Sequence, residues 1–134
     1  MRLLFVCVEN SCRSQMAEGF ARALGGAHTD ARSAGSRPSG VVNPRAIQFM
    51  AERGIDLSTH ASSGLEGLER ETFDYVVTMG CGDVCPHIPA RHHLDWELSD
   101  PKHLPDHEFR AVRDMIGDRV IALLNSEASD ATVP

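Results

Sequence analysis

The loop that joins a short apolar run to a helical pattern constrains the fold of this chain most. Residues 3–8 are apolar and predict a buried strand, and apolar positions at helical spacing predict a helix from Cys12 to about Gly25. The loop between them reads Cys7-Val8-Glu9-Asn10-Ser11-Cys12-Arg13-Ser14. A strand, a loop and a helix in this order can surround an anion with backbone amides and a helix N-terminus. We therefore expect an α/β fold with an oxyanion site at this loop.

The residue types in the loop favour a reactive thiol facing that anion. Cys7 follows the strand and is the candidate nucleophile, while the planar guanidinium of Arg13 suits a tetrahedral oxyanion. Packing is the alternative for Cys7, because cysteine is among the most often buried residue types. The spacing to Arg13 and the adjacent Ser14 favour the nucleophile. The oxyanion-binding candidates are Val8, Glu9, Asn10, Ser11, Cys12 and Arg13.

The remaining pattern predicts strands that alternate with helices in a single domain over residues 1–134. Strands are expected at 28–34, 73–79 and 91–95, and helices at 43–53, 62–71 and 106–125. Asn43 and Pro44 suit the N-cap and first position of the second helix. Residues 126–134 are expected to form a flexible tail. Such alternation is typical of a parallel sheet with helices on both faces.

Composition excludes several classes of partner. The net charge is −6 and no basic run is present, so neither nucleic acid nor an anionic membrane is the expected partner. The N-terminus does not have a signal-peptide pattern and no apolar run reaches transmembrane length, so we expect a cytoplasmic monomer. Four cysteines in that compartment indicate catalytic, redox or metal chemistry rather than structural disulfides.

A second cysteine pair, Cys81 and Cys85, follows the strand at 73–79. The ends of parallel strands meet at one edge of the sheet, so Cys81 can approach Cys7. Four-residue spacing in a helix gives Cβ separations of about 5–6 Å, longer than the roughly 3.5–4.5 Å of a disulfide. Nearby glycines and a proline favour the necessary rearrangement. A redox relay is our interpretation; two packed cysteines, or a zinc site with His87 and His92 or His93, are the alternatives.

Residues 7–14, together with Gln15-Met16-Ala17-Glu18-Gly19, resemble the low-molecular-weight tyrosine phosphatase superfamily and, within it, the thioredoxin-coupled arsenate reductases. The cysteine pair after the third strand favours the reductases over the phosphatases. The resemblance implies a flavodoxin-like three-layer α/β/α fold with a four-stranded parallel sheet. It continues through Ser33-Ala34-Gly35, Asn43-Pro44-Arg45-Ala46, 74–79, Asp95-Trp96, Asp100-Pro101 and Val112-Arg113-Asp114.

The resemblance also implies a role for each catalytic candidate in arsenic detoxification. Cys7 would attack arsenate, with its thiolate stabilised by Ser14, and Asp100 would act as general acid. A turn or N-cap residue is the alternative role for Asp100. Cys81 would then release arsenite by attacking Cys7, and Cys85 would move the disulfide to the Cys81–Cys85 pair. Thioredoxin would reduce that pair, with no metal or organic cofactor.

Other loop positions depart from the family or have lesser roles. Cys12 is expected to be a packed thiol and Asn10 to brace the loop. Glu9 stands where the family commonly has glycine, and its charge would weaken anion binding. Some relatives bind potassium near the loop; Asn10, Glu18 and Ser33 match that site, but Ser63 replaces an expected acid, so at most a weak potassium site is expected.

Three rival functions use the same residues differently. A phosphotyrosine phosphatase needs only the loop and Asp100, but Lys102-His103 stand where such enzymes usually carry aromatic residues. A non-enzymatic thiol protein responsive to arsenite or metal would use Cys81, Cys85 and a histidine. An arsenate reductase with glutaredoxin or a low-molecular-weight thiol as donor would not need the internal relay that Cys85 offers.

Overall fold

The computed structural model describes residues 1–80 and 88–132, with side chains up to residue 126. Strands β1 to β4 span Arg2–Cys7, Asp30–Gly35, Phe73–Thr78 and Ala90–Asp95. Helices α1 to α3 span Arg13–Gly25, Pro44–Ala51 and Asp106–Thr132. Two short 3-10 helices lie at Leu68–Arg70 and Pro101–His103. These elements confirm the strand–helix alternation expected from the sequence.

The four strands form one parallel sheet in the order β2-β1-β3-β4. The chain moves from β1 to β2 on one side and then crosses past β1 to β3 on the other side, so the topology reverses beside β1. Ligands of such sheets bind at the carboxyl ends of the strands at this reversal. Cys7 ends β1 at that point, and Val6 pairs with Thr78 at the end of β3. The predicted flavodoxin-like fold with a four-stranded parallel sheet is confirmed.

The alternating side chains of β1 supply two cores. Leu3, Phe5 and Cys7 face α1, α2 and α3, whereas Leu4 and Val6 face the segment around Leu68 and Ile88. Each fully buried aliphatic or aromatic side chain contributes about 1.5–3 kcal/mol by leaving water. The larger core therefore anchors the helices on the side of the sheet where Cys7 lies, and includes Met16, Phe20, Phe49, Met50, Phe109 and Ile116.

Helix α2 begins as its sequence predicts. The side-chain oxygen of Asn43 accepts a hydrogen bond from the backbone N–H of Arg45 at 2.9 Å, and Pro44 occupies the first helical position. An N-cap of this kind contributes about 1 kcal/mol. The cap fixes where Arg45 leaves the backbone, and the Arg45 guanidinium donates to the Lys102 carbonyl at 3.1 Å.

One predicted helix and one predicted helix end are wrong. Residues 62–71 do not form an α-helix: Gly64 pairs with Gly35 in an isolated bridge, and Gly67 has φ +84° before the 3-10 helix at Leu68–Arg70. Helix α3 continues to Thr132 rather than ending near Asn125, although its outer turns carry little apolar pattern. Whether residues 126–134 are flexible stays a prediction. No helix in the described part of the chain is long and apolar enough to cross a membrane.

Candidate oxyanion-binding site

A cavity of about 240 Å³ lies between the end of β1 and the start of α1. Helix α1 begins at Arg13, and no described side chain caps its N-terminus. The first amides of a helix need partners, and a bound anion can supply them. The cavity therefore has the position and the donors that the sequence predicts, and it is lined by Cys7, Val8, Glu9, Ser11, Cys12, Arg13 and Asp100.

The segment after β2 fixes the backbone of the loop. The backbone N–H groups of Arg37, Ser39 and Asn43 donate to the carbonyls of Val8, Glu9 and Ser11 at 2.8–3.0 Å. These donors lie outside the cavity lining, so the carbonyls they engage face away from the anion site. Close approach also needs Gly35, because a Cβ there would lie 2.6 Å from the Val8 carbonyl oxygen. The resemblance included Gly35, but its packing role could not be read from the sequence.

Hydrogen bonding orients the Ser14 hydroxyl towards the thiol. Cys7 Sγ lies 2.9 Å from Ser14 Oγ, and Asn10 Nδ2 donates to the same oxygen at 2.7 Å. The amide orientation of Asn10 is set by the Ser63 N–H, which donates to Asn10 Oδ1 at 2.8 Å. Since Ser14 Oγ accepts from Asn10, its own proton is available to Cys7. This donor would stabilise negative charge on Cys7 Sγ, as the sequence predicts for Ser14.

Gln15 braces Asn10 from the side away from the cavity. Asn10 adopts φ 51°, a left-handed conformation that costs energy for a non-glycine residue. The Nε2 group of Gln15 donates to the backbone oxygen of Asn10 at 3.2 Å and to its Oδ1 at 3.0 Å. Gln15 Oε1 lies 3.0 Å from Nδ1 of His60. The sequence placed Gln15 in the family motif but gave no sign that His60 reaches it.

Arg13 is buried and its guanidinium is held at the cavity wall. Its Nη1 donates to the backbone oxygen of Leu98 at 3.0 Å. Gly80 lies against the same nitrogen. A fixed, charged fork of donors is suited to a tetrahedral oxyanion. The predicted anion-binding role of Arg13 is therefore compatible with its position, whereas its neighbours Gly80 and Leu98 were not foreseen.

Asp100 lines the cavity and also caps a turn, so both roles considered for it have a structural basis. Its Oδ1 accepts from the Lys102 N–H at 3.1 Å, at the start of the 3-10 helix Pro101–His103. The other carboxylate oxygen is not used in this cap. An exposed carboxyl group at the mouth of the cavity can deliver a proton to a departing oxygen.

The charge of Glu9 is balanced by an ion pair. Lys102 Nζ lies 2.8 Å from one carboxylate oxygen of Glu9 and 3.1 Å from the other. The expectation that Glu9 would weaken anion binding assumed an unpaired carboxylate. The pairing of Lys102 with Glu9 has no signal in the sequence, because 93 positions separate the two residues.

Cys12 is suited to packing rather than to reaction. It is 3% exposed and belongs to the main core. Burial, with a smaller contribution from the negative charge of Asp100, raises the pKa of the Cys12 thiol to about 12. A thiol that stays protonated is a poor nucleophile. Its environment agrees with the packed role expected from the sequence.

The candidate potassium ligands already have partners within the protein. Ser33 Oγ donates to Glu18 Oε1 at 2.7 Å, while Arg22 Nε and His60 Nδ1 each lie 3.1 Å from Glu18 Oε2. Asn10 Oδ1 accepts from two other donors. Glu18 and Ser33 border a larger cleft of about 420 Å³, and none of the described residues that line it is a cysteine. Among residues 1–80 and 88–132, no cluster of three or more metal-ligand side chains was found.

Cys81, Cys85 and His87 lie outside the described residues, so the relay and zinc interpretations stay predictions. The chain enters this segment beside Cys7: the Met79 N–H donates to the Val6 carbonyl at 2.8 Å. His92 stacks on Tyr75, and His93 Nε2 lies 2.7 Å from the Ile88 carbonyl oxygen.

Comparison with known proteins places these features in a family. The glutaredoxin arsenate reductase of Synechocystis sp. is 40% identical over 126 residues, 92% of this chain and 95% of that protein. An arsenate reductase in a phosphate-binding state superposes with TM-score 0.83 at 38% identity, over 93% of this chain and 97% of that one. A thioredoxin-dependent arsenate reductase of Corynebacterium glutamicum superposes with TM-score 0.79 at 37% identity, over 93% of this chain and 60% of that one.

The family assignment rests on nearly the whole chain rather than on the loop alone. The family model of the low molecular weight phosphotyrosine protein phosphatases matches residues 2–132, from the first strand to the end of α3. The match includes the cavity, the segment that braces it and the turn at Asp100. This chain belongs to the low molecular weight phosphotyrosine protein phosphatase family.

Proposed function

We propose that this protein is an arsenate reductase that converts arsenate to arsenite through Cys7, Cys81 and Cys85. The observation that carries the proposal is the Cys7 thiol, which lies 2.9 Å from the Ser14 hydroxyl and lines a cavity that Arg13 also borders. Relatives named arsenate reductases, one of them 40% identical over most of both chains, support arsenate as the anion.

The first step is a displacement at arsenic. The Cys7 thiolate attacks arsenate, an S–As bond forms, and one arsenic–oxygen bond breaks. Asp100, at the mouth of the cavity, protonates the departing oxygen so that it leaves as water. Arg13 and the loop amides bear the charge on the remaining oxygens. Arsenic stays in its +5 state in this step, and the enzyme holds a covalent adduct.

The second step reduces arsenic. The Cys81 thiolate attacks Cys7 Sγ, the electron pair of the S–As bond passes to arsenic, and arsenite leaves. Cys85 then attacks Cys81, which releases Cys7 and leaves a Cys81–Cys85 disulfide. The position of Met79 supports this route, because its N–H donates to the carbonyl of Val6, the residue before Cys7, and Met79 precedes Cys81 by two residues.

The disulfide requires an external dithiol, for which we propose thioredoxin. A three-cysteine relay ends in a disulfide between two protein cysteines, the form that a dithiol protein reduces. One relative is thioredoxin-dependent and another is a glutaredoxin arsenate reductase, so both donors belong in the test. A role in arsenic detoxification in the cytoplasm, as a monomer without metal or organic cofactor, completes the proposal.

NADPH oxidation is the experiment for activity and donor. One reaction contains thioredoxin and its reductase, and a second contains glutathione, glutaredoxin and glutathione reductase. Arsenate-dependent oxidation with thioredoxin is the expected result, and it should disappear in Cys7→Ser. Turnover with glutaredoxin but not with thioredoxin would identify glutaredoxin as the donor and leave the reductase assignment unchanged. Hydrolysis of p-nitrophenyl phosphate without arsenate reduction by either system would identify a phosphatase instead.

A further inference from the structure

The ion pair of Glu9 and Lys102 joins two functional loops that are far apart in sequence. Glu9 belongs to the oxyanion loop, and Lys102 follows the proposed acid by two positions. Lys102 Nζ contacts both carboxylate oxygens of Glu9, at 2.8 and 3.1 Å. The bond to Glu9 also raises the pKa of Lys102. The contact therefore connects the anion-binding loop to the Asp100 turn.

Lys102 is held at three points, and each one restrains the turn. Its backbone N–H donates to Asp100 Oδ1 at 3.1 Å, its carbonyl accepts from Arg45 Nη1 at 3.1 Å, and its ammonium contacts Glu9. Arg45 is itself fixed, since Nη2 lies 3.0 Å from Asp106 Oδ1 and its guanidinium covers the ring of Phe109. Without Glu9, the turn would stay fastened to α2 and α3, and the oxyanion loop would reach this segment through the bond from Arg13 to the Leu98 carbonyl, two residues before Asp100.

Glu9 is better suited to this contact than to binding substrate. A carboxylate cannot donate a hydrogen bond to an arsenate oxygen, and its charge repels a dianion. Pairing with Lys102 removes most of that repulsion at the mouth of the cavity. Glu9 can therefore be accommodated in an anion-binding loop provided that Lys102 accompanies it.

We propose that Glu9 and Lys102 are positioning residues that hold the Asp100 turn against the oxyanion loop. The proposal rests on the proposed function only for the role of Asp100 as the acid. With the pair intact, the carboxyl group of Asp100 stays beside the loop where the departing oxygen is released. Without it, the turn samples positions from which the proton is delivered less often.

A double-mutant cycle tests the pair. Glu9→Gln, Lys102→Met and their combination are compared by single-turnover arsenite formation and by NMR exchange rates of the Lys102 and Leu104 amides. Those amides donate to Asp100 Oδ1 and to the Pro101 carbonyl. Each single variant should lower the single-turnover rate at saturating arsenate about threefold and raise the exchange rates of the two amides about threefold. Changes of this size are expected for a partly exposed ion pair. The double variant should be no worse than either single one.

The arsenate concentration at half-saturation distinguishes positioning from a simple charge effect. Glu9→Gln should lower this concentration and Lys102→Met should raise it, while both lower the maximal rate. Opposite shifts in half-saturation with unchanged maximal rates would overturn the proposal, and so would additive losses in the double variant. Arg91→Gln is the control: Arg91 is a surface cation paired with Asp74 at 3.4 Å, away from both loops.

The exchange measurement separates this proposal from the proposed function. If the wild-type protein forms no arsenite, the reductase assignment fails, but the exchange rates still show whether Glu9 restrains the turn. Unchanged exchange of the Lys102 and Leu104 amides in Glu9→Gln would overturn the positioning role even in an active reductase.

Discussion

Arg13 lies directly against Gly80. A Cβ built on Gly80 would lie 2.5 Å from Nη1 of Arg13, the same nitrogen that donates to the Leu98 carbonyl. Gly80 also has φ +82° and immediately precedes Cys81 in the sequence. The guanidinium proposed to bind the oxyanion can therefore occupy this position only because Gly80, the residue before Cys81, has no side chain.

Gly80→Ala should therefore weaken anion binding. The new methyl group would displace the guanidinium, and losing a charge-assisted hydrogen bond costs about 1.5–3 kcal/mol, roughly 10- to 150-fold in the phosphate dissociation constant. Gly67→Ala is the matched control, because φ is +84° there and nothing lies within 4 Å of the added Cβ. Calorimetric titration with inorganic phosphate measures the dissociation constant of each variant. Equal weakening in the two variants would assign the effect to backbone strain.

Ser14→Ala should slow the reaction of Cys7 with arsenate by about tenfold, because the thiolate loses a hydrogen bond from a buried hydroxyl. Single-turnover arsenite formation measures the change. Ser36→Ala is the control: Ser36 Oγ is buried without a hydrogen-bond partner in the described part of the chain. Its removal should leave the rate and the free energy of unfolding nearly unchanged. A Ser14→Ala protein that reacts at the wild-type rate would refute the donor role.

The ion pairs of Glu52 with Arg110 and Arg113, between the end of α2 and α3, should make the free energy of unfolding depend on pH in the acid range. Hydrogen bonds from Arg110 and Arg113 lower the pKa of Glu52 from 4.5 to about 2. A carboxylate with a depressed pKa stabilises the fold above its unfolded pKa and loses that contribution as pH falls through the folded value. Urea unfolding of wild type and Glu52→Gln should therefore differ most above the unfolded pKa of 4.5 and converge towards the folded value of about 2. A difference independent of pH would contradict this account.

Potassium should not stimulate this protein. Both carboxylate oxygens of Glu18 already contact Ser33, Arg22 or His60, and a bound cation would have to displace the Arg22 guanidinium. Initial rates of arsenate reduction in potassium chloride and in sodium chloride at equal ionic strength should agree. A clear increase with potassium alone would show that Glu18 exchanges its protein partners for the ion.

The local features of the sequence predicted much of the fold and of the site. The apolar run of β1, the cap at Asn43 and the loop from Cys7 to Ser14 are encoded by neighbouring residues, and each lies where the pattern indicates. The error at residues 62–71 has a local cause as well. Glycines at 64 and 67 serve a bridge to β2 and a positive-φ turn instead of a helix.

Contacts between distant segments could not be predicted. Glu9 contacts Lys102 from the far end of the sequence, and His60 contacts Gln15 from the segment before β3. Neither pair has a spacing that a local pattern can reveal, because the tertiary fold alone brings them together. The role of Gly80 was equally hidden, since only the position of Arg13 shows that a side chain would not fit.

Single-turnover mass spectrometry tests the central claim most directly. The fully reduced protein is mixed with one equivalent of arsenate without any external thiol, and both the arsenic species and the cysteine pairs are determined. The account predicts stoichiometric arsenite, loss of two hydrogens, and a disulfide between Cys81 and Cys85. Cys85→Ser should stop at a Cys7–Cys81 disulfide, and Cys7→Ser should form no arsenite. Unchanged arsenate with all four cysteines still reduced in the wild-type protein would contradict the assignment.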